Sequence, residues 1–203
     1  MSDVDDWTEK MRSVTAARKK TYGVNLRDEA LLILDKRGTV LDTAREISRL
    51  MRNAGLPGVV IGGVAVVLHG HVRTTKDVDI FFNPPLQPLA DLLARNGFTL
   101  DQAERAFIKQ GVPVQLVLPE HVSAPLKGTL VIDGITTVTL VDLIAMKLRS
   151  GSTNLLRAQD LADVIALIRH HQLTSAFARH LEKTLRPAFR KLVRLIQREK
   201  SGK

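Results

Sequence analysis

The chain has 203 residues, of which 44% are hydrophobic, and this is enough to form one domain with its own core. Because it contains no cysteine, disulfides and thiolate zinc sites are excluded, and aromatic residues at 4% are too few for a module that stacks several bases. The acidic start is unlike a secretory signal, and the longest apolar run, 59–68, is half of the roughly 20 residues that a membrane span needs, so we expect a cytoplasmic protein with no membrane partner.

The formal net charge of +9 is concentrated at one end of the chain. Residues 179–203 hold nine Lys or Arg against two Glu, whereas the rest of the chain holds 21 basic and 19 acidic residues. From Pro187 onward, apolar residues and arginines fall on opposite faces of a predicted helix. We therefore expect a docked helix whose basic face attracts tRNA or another polyanion, or an acidic protein partner.

The N-terminal part of the chain predicts helices. Residues 1–38 are polar and weakly patterned, which indicates a helical arm with a short helix at 27–34. Thr39 is predicted to cap a stronger helix, with Asp42 as the capping-box acid, and residues 55–58 end it.

Alternating strands and helices follow. Strands are predicted at 59–61 and 78–82, with a short helix at 64–68 between them and a longer helix at 87–96 after them. Residues 107–118 predict strand with a turn near Gln110, and 130–139 predict a hairpin around Asp133 and Gly134.

The last third of the chain is predicted to be helical. Thr139 caps a helix to about Leu148 with Asp142 in the capping box, and a loop at 150–153 leads into a helix at 155–171. Further helical segments are expected at 174–185 and from Pro187. The sequence thus predicts an α+β fold, with an arm at 1–38, a mixed β-sheet core flanked by helices at 39–139, and a C-terminal helical subdomain at 140–203.

Residues 58–82 carry the chemistry. The glycine pair Gly62 and Gly63 follows a strand, where it would let a phosphate approach backbone N–H groups. Asp77 and Asp79 point the same way from a strand and suit Mg²⁺. Hydrogen-bond donors stand beside them at Arg73, Thr74, Thr75 and Lys76. A glycine pair or an Asp-x-Asp alone is weak evidence, but this ordered combination favours nucleotidyl or phosphoryl transfer.

The run IGGVAVVLHGHVRTTKDVDIFF resembles the signature of the DNA polymerase β-like nucleotidyltransferase superfamily. The later TLVDLIAMKLRSG and LRAQDLADVIAL resemble the helical part of its abortive-infection toxin branch, so the resemblance covers about residues 40 to 170. It implies a nucleotidyltransferase-like fold and Mg²⁺-dependent transfer of NMP from an NTP to an acceptor hydroxyl. The acceptor would be an RNA or tRNA 3′ end, a protein or a small molecule such as an antibiotic, and a toxin role would add an antitoxin partner.

The same resemblance assigns roles to residues. Gly62 and Gly63 would hold the triphosphate, and Asp77 and Asp79 would bind Mg²⁺. From the helical part it implies phosphate contact by Lys147, a facing set of Arg157, Asp160 and Asp163, and positioning or deprotonation of the acceptor hydroxyl by Asp163 or Asp160. Residue types alone also allow a solvated lysine at Lys147 and an ordinary helical ion pair between Arg157 and Asp160.

Three features leave alternatives open. Gln115 stands where the superfamily commonly has a third carboxylate, which also allows a catalytically degenerate member that binds a nucleotide or a partner. A basic nucleic-acid-binding module with an incidental Asp-x-Asp is a further alternative. His69 and His71 are interpreted as core or turn histidines, because no further ligands have metal-binding spacing.

Overall fold

A computed structural model describes residues 38–122, 125–153 and 157–201. The predicted arm at 1–38 and its helix at 27–34 therefore lie almost entirely outside the described residues. The helices are α1 Thr39–Asn53, α2 Gly62–Leu68, α3 Gln87–Arg95, α4 Pro119–Val122, α5 Leu140–Thr153, α6 Ala158–His170 and α7 Arg186–Ser201, with a 3-10 helix at Ser175–His180. The strands are β1 Val59–Ile61, β2 Val78–Phe81, β3 Thr99–Asp101, β4 Ala106–Lys109, β5 Val112–Val117, β6 Thr129–Ile132 and β7 Ile135–Val138.

The strands form one mixed seven-stranded sheet in the order β3-β4-β5-β2-β1-β7-β6. The central strand pairs β2–β5 and β1–β7 are parallel, whereas β1–β2 and the outer pairs are antiparallel. This topology puts β2, which carries Asp79, next to β1 and β5 near the middle of the sheet. The predicted α+β fold with a mixed sheet is confirmed.

Helices cover both faces of the sheet. One apolar cluster joins α1 and α3 to the face that carries Val60, Val78 and Ile80. A second cluster joins α5, α6 and α7 to the opposite face, which carries Ile61 and Phe81. Because side chains alternate along a strand, Asp79 shares the second face with Phe81. The carboxylate of Asp79 therefore lies on the face that the C-terminal helices cover.

Several local predictions are confirmed. The hairpin turns at Asp133 and Gly134, which adopt φ values of 49° and 79°. Thr139 caps α5, because its Oγ1 accepts a hydrogen bond from the Asp142 backbone N–H over 3.2 Å, and its hydroxyl donates to Asp142 Oδ2 over 2.9 Å.

Other local predictions are wrong. Thr39 is the first residue of α1 and Gly38 occupies the cap, without a side-chain capping bond, while Asp42 pairs with Arg45 at 2.6 Å. Residues 150–153 are not a loop, because α5 continues to Thr153 against α6. The segment 174–185 forms only the short 3-10 helix, and the sequence did not predict β3 or α4. Among the described residues, none of the helices combines the length and apolar character that crossing a bilayer requires.

Candidate functional site

The glycine pair lies where the backbone passes directly against polar side chains. Gly62 has a φ of 67°, and a Cβ on it would lie 1.9 Å from Asp79 Oδ2. A Cβ on Gly63 would lie 2.3 Å from Thr75 Oγ1 and 2.9 Å from Arg73 Nη2. Only glycine fits at either position without displacing these groups, so the pair allows the backbone turn to meet Asp79, Thr75 and Arg73.

The two predicted carboxylates sit at the start of β2. Asp77 directly precedes the strand and Asp79 is its second residue, and both are half-buried. Asp79 is paired with Ile61, so the strand register places it beside the β1–α2 turn that contains the glycines. Residues 73–76 form a polar loop before β2. Thr75 in this loop is buried and its hydroxyl donates to the Asp77 carbonyl over 3.4 Å, which links the polar loop to the start of the strand. Lys76 is exposed and makes no hydrogen bond or ion pair with any described residue.

Gln115 lies beside Asp79 on the neighbouring strand β5. The parallel β2–β5 pairing matches Asp79 with Gln115, and the β4–β5 pairing matches Gln115 with Ala106. Paired residues point to the same face, so a half-buried amide stands beside Asp79 where a third carboxylate was expected. The register places Gln115 beside Asp79, and its equivalence to the third carboxylate of the superfamily stays a prediction from the resemblance. A neutral amide can offer an oxygen ligand but adds no negative charge.

A buried ion cluster joins the polar loop to the C-terminal helices. Asp163 in α6 is fully buried, with a side-chain exposure of 0%. Its Oδ1 lies 2.9 Å from Arg73 Nε and accepts a hydrogen bond of 3.0 Å from Gln159 Nε2. Its Oδ2 lies 2.9 Å from Lys147 Nζ of α5. One buried carboxylate thus pairs with two cations that come from different elements, which offsets the cost of burying all three charges.

The cluster extends along α5 and α6. Lys147 Nζ donates to Asp160 Oδ1 over 2.6 Å, and the Ser150 hydroxyl donates to Asp160 Oδ2 over 2.5 Å. Arg157 in turn donates to Ser150 Oγ over 2.9 Å. The structure therefore brings the predicted residues Lys147, Arg157 and Asp160 together with Asp163. Sequence reasoning missed Ser150, although it lies three residues after Lys147 on what proves to be the same helix.

His69 is buried and confirmed as a core histidine. Its Nε2 donates to the Val138 carbonyl over 2.9 Å, and His171 Nε2 donates to the His69 carbonyl over 2.8 Å. Burial lowers the pKa of His69, outweighing the backbone hydrogen bond to Val138, which favours the charged form. These bonds tie the end of α2 to β7 and to the end of α6.

The mixed sheet, with helices on both faces, is similar to the fold of solved nucleotidyltransferase structures. A crystal structure of ANT(2'')-Ia in complex with adenylyl-2''-tobramycin matches with a TM-score of 0.52 and 15% identity, over 74% of this chain and 96% of that one. The solution structure of the antibiotic-resistance factor ANT(2'')-Ia matches with a TM-score of 0.51 and 15% identity, over 88% of this chain and 100% of that one.

An antigenic nucleotidyltransferase-like protein from Paracoccidioides brasiliensis has a TM-score of 0.49 at 16% identity, over 63% of this chain and 74% of that one. No protein-family model matches this chain, and no curated protein matches it. At these identities the likeness is one of fold.

Proposed function

We propose that this protein is a nucleotidyltransferase that moves NMP from an NTP to an acceptor hydroxyl and releases pyrophosphate. The observation that carries the proposal is the meeting of Asp79 with the glycine turn, beside Arg73, on the face covered by the C-terminal helices. The resemblance of residues 61–82 to the superfamily signature and the nucleotidyltransferase-like fold support it.

The reaction needs positioning and charge neutralisation more than covalent participation by the protein. The acceptor oxygen attacks the α-phosphorus, the bond from that phosphorus to the bridging oxygen of the β-phosphate breaks, and the acceptor proton is released. Gly62 and Gly63 would hold the triphosphate at a turn where the backbone lies directly against Asp79, Thr75 and Arg73. Arg73 and Lys147 supply positive charge for its oxygens, and Thr75, Lys76 and Arg157 are further candidates for phosphate contact.

The residues fit Mg²⁺, which takes oxygen ligands and is often bound through one or two carboxylates together with substrate phosphates. Asp77 and Asp79 offer two carboxylates and Gln115 an amide oxygen on the same face. Within the described residues no group of three His, Cys, Asp or Glu could hold a metal. The set therefore suits an ion that is shared with the NTP. When bound, such an ion would supply positive charge that neutralises the triphosphate and the leaving pyrophosphate.

For the acceptor we favour an RNA 3′ end such as that of tRNA. Helix α7 buries Phe189 and Val193 and exposes a face of like charge formed by Arg190, Lys191, Arg194 and Arg198. None of these four cations forms an ion pair with a described residue, so they remain available to a polyanion. A protein hydroxyl or a small molecule is the other acceptor class, since the ANT(2'')-Ia complex contains an adenylylated small molecule. In the toxin role that the resemblance implies, the same face would bind an acidic antitoxin.

Labelling experiments test the proposal. The protein is incubated with each α-labelled NTP, Mg²⁺ and either total tRNA or a cell lysate, beside the Asp77→Asn/Asp79→Asn double variant. We expect label to enter one acceptor class, and to be lost both in the double variant and with EDTA. NTP binding without transfer to any acceptor would refute the proposed transferase activity.

NTP binding without transfer is the result expected of a catalytically degenerate member of the fold, which binds nucleotide without turnover. Gln115 favours this alternative, because the amide beside Asp79 can neither accept the acceptor's proton nor add charge. If Gln115→Glu creates transfer activity that the unaltered protein lacks, the degenerate interpretation is correct.

A further inference from the structure

We propose that Asp163 is a positioning residue that orients Arg73 and Lys147 toward the nucleotide phosphates, so that nucleotide binding depends on the packing of α6 against the sheet. This inference rests on the proposed function and narrows it. It replaces the expectation that Asp163 could deprotonate the acceptor hydroxyl.

The burial of Asp163 argues against proton transfer. Its side chain has no exposed surface, and both of its oxygens face groups of the protein. An acceptor hydroxyl would have to displace Arg73 or Lys147 before it could meet this carboxylate.

The orientation of Arg73 points to its role. Asp163 pairs with Nε at the inner end of the guanidinium, and Nη1 donates to the Thr74 carbonyl over 2.8 Å. Nη2 is then directed at the backbone of Gly63, where it lies 2.9 Å from the place of an added Cβ. A guanidinium held at two of its nitrogens presents the third to the glycine turn, which is where phosphate oxygens would lie.

Lys147 is held in a similar way. Its ammonium has three N–H donors, and it meets Asp160 at 2.6 Å and Asp163 at 2.9 Å. At least one N–H is left for a phosphate. The carboxylates of Asp160 and Asp163 balance the charges of Lys147 and Arg73, so these two cations can lie near each other without net repulsion before any nucleotide arrives.

Pairing within the cluster depends on charge more than on hydrogen-bond geometry. Arg73 Nε lies at ion-pair distance from Asp163 Oδ1, and Asp163 Oδ2 lies at ion-pair distance from Lys147 Nζ. Arg73 Nε and Asp163 Oδ2 are both buried, but neither makes a well-aligned hydrogen bond with a described residue. The amide of an asparagine matches the shape of Asp163 but has no charge. We therefore expect Asp163→Asn to release both cations from their orientation.

The test measures binding and chemistry separately on the full chain. Asp163→Asn and Arg73→Gln should each weaken binding of the Mg²⁺ complex of the preferred NTP by at least about tenfold in calorimetry, the loss of one charge-assisted contact. In the double variant the losses should fall well short of additive, because both changes remove one interaction. Saturating NTP should restore transfer with an unchanged pH–rate profile.

A matched control is Arg169→Gln, which removes the exposed ion pair between Arg169 of α6, the helix that carries Asp163, and Glu199 of α7, and should leave nucleotide affinity unchanged. Thermal unfolding shows whether Asp163→Asn is folded, and if it is not, Arg73→Gln alone carries the test. Unchanged affinity in Arg73→Gln overturns the inference. So does an Asp163→Asn variant that binds NTP normally but loses kcat and one limb of the pH profile, since that is the behaviour of a base. Absence of NTP binding by the unaltered protein refutes instead the proposed function itself.

Discussion

The variant Gly62→Ala tests whether the position beside Asp79 requires a residue without a side chain. At a φ of 67° an alanine costs about 1 kcal/mol relative to glycine. Its Cβ would also lie 1.9 Å from Asp79 Oδ2 and 2.8 Å from Asp79 Cγ, whereas non-bonded atoms normally stay about 3.5 Å apart. The Asp79 carboxylate must therefore move by about 1 Å or more, and a misplacement of that size in a catalytic site costs about 100-fold in rate.

The chain offers a matched control at Gly55. Its φ of 66° is nearly the same, but a Cβ there would meet nothing within 4 Å. Gly55→Ala should thus lose the same roughly 1 kcal/mol of stability while binding and transferring nucleotide normally. Urea unfolding measures the first quantity, and calorimetry with Mg²⁺ and NTP, followed by the labelling assay, measures the second. Equal binding and transfer in Gly62→Ala and Gly55→Ala would show that the glycine turn is not part of the site.

Four further outcomes are expected. Because burial lowers the pKa of His69, the unfolded chain binds a proton at this residue at a higher pH than the folded protein does. The free energy of unfolding should therefore fall as pH drops below about 6.5 and level off below the folded-state pKa. Urea unfolding at pH 5 to 8 should show this slope, and His69→Gln should remove it. Gln115→Glu adds a third carboxylate, so it should tighten the binding of Mn²⁺ in the absence of nucleotide by about tenfold. Electron paramagnetic resonance measures this affinity, and an unchanged value would place Gln115 outside the metal site. Arg190→Gln/Arg194→Gln removes two cations from the basic face of α7, so it should weaken tRNA binding and reduce the slope of log affinity against log salt concentration by about 2, with NTP binding intact. An unchanged slope would rule out this face as the tRNA-binding surface. Asp142→Ala should cost about 2 kcal/mol in thermal or urea unfolding, because its carboxylate accepts the Thr139 hydroxyl and the backbone N–H groups of Lys127 and Gly128. A loss below half of that would contradict a stabilising role for these hydrogen bonds.

Local patterns in the sequence determined much of the core. The helix α2, the strands β1 and β2 and the turn at Asp133 follow from short-range signals: apolar runs, glycines and residues that tolerate positive φ. The Thr139 cap also lies within four residues of its partner Asp142. The same short range explains why the glycine pair and Asp79 could be assigned to one site, since β1 and β2 are neighbours in the chain and in the sheet.

Tertiary structure decided what surrounds that site. Residues 150–153 resemble a loop by composition, but packing against α6 keeps them helical, and this places Ser150 on Asp160. Arg73 and Asp163 are far apart in sequence, and no periodicity relates them. Burying a carboxylate is favourable only when cations meet it in the same dry space, and that meeting exists only once α5 and α6 have packed onto the sheet.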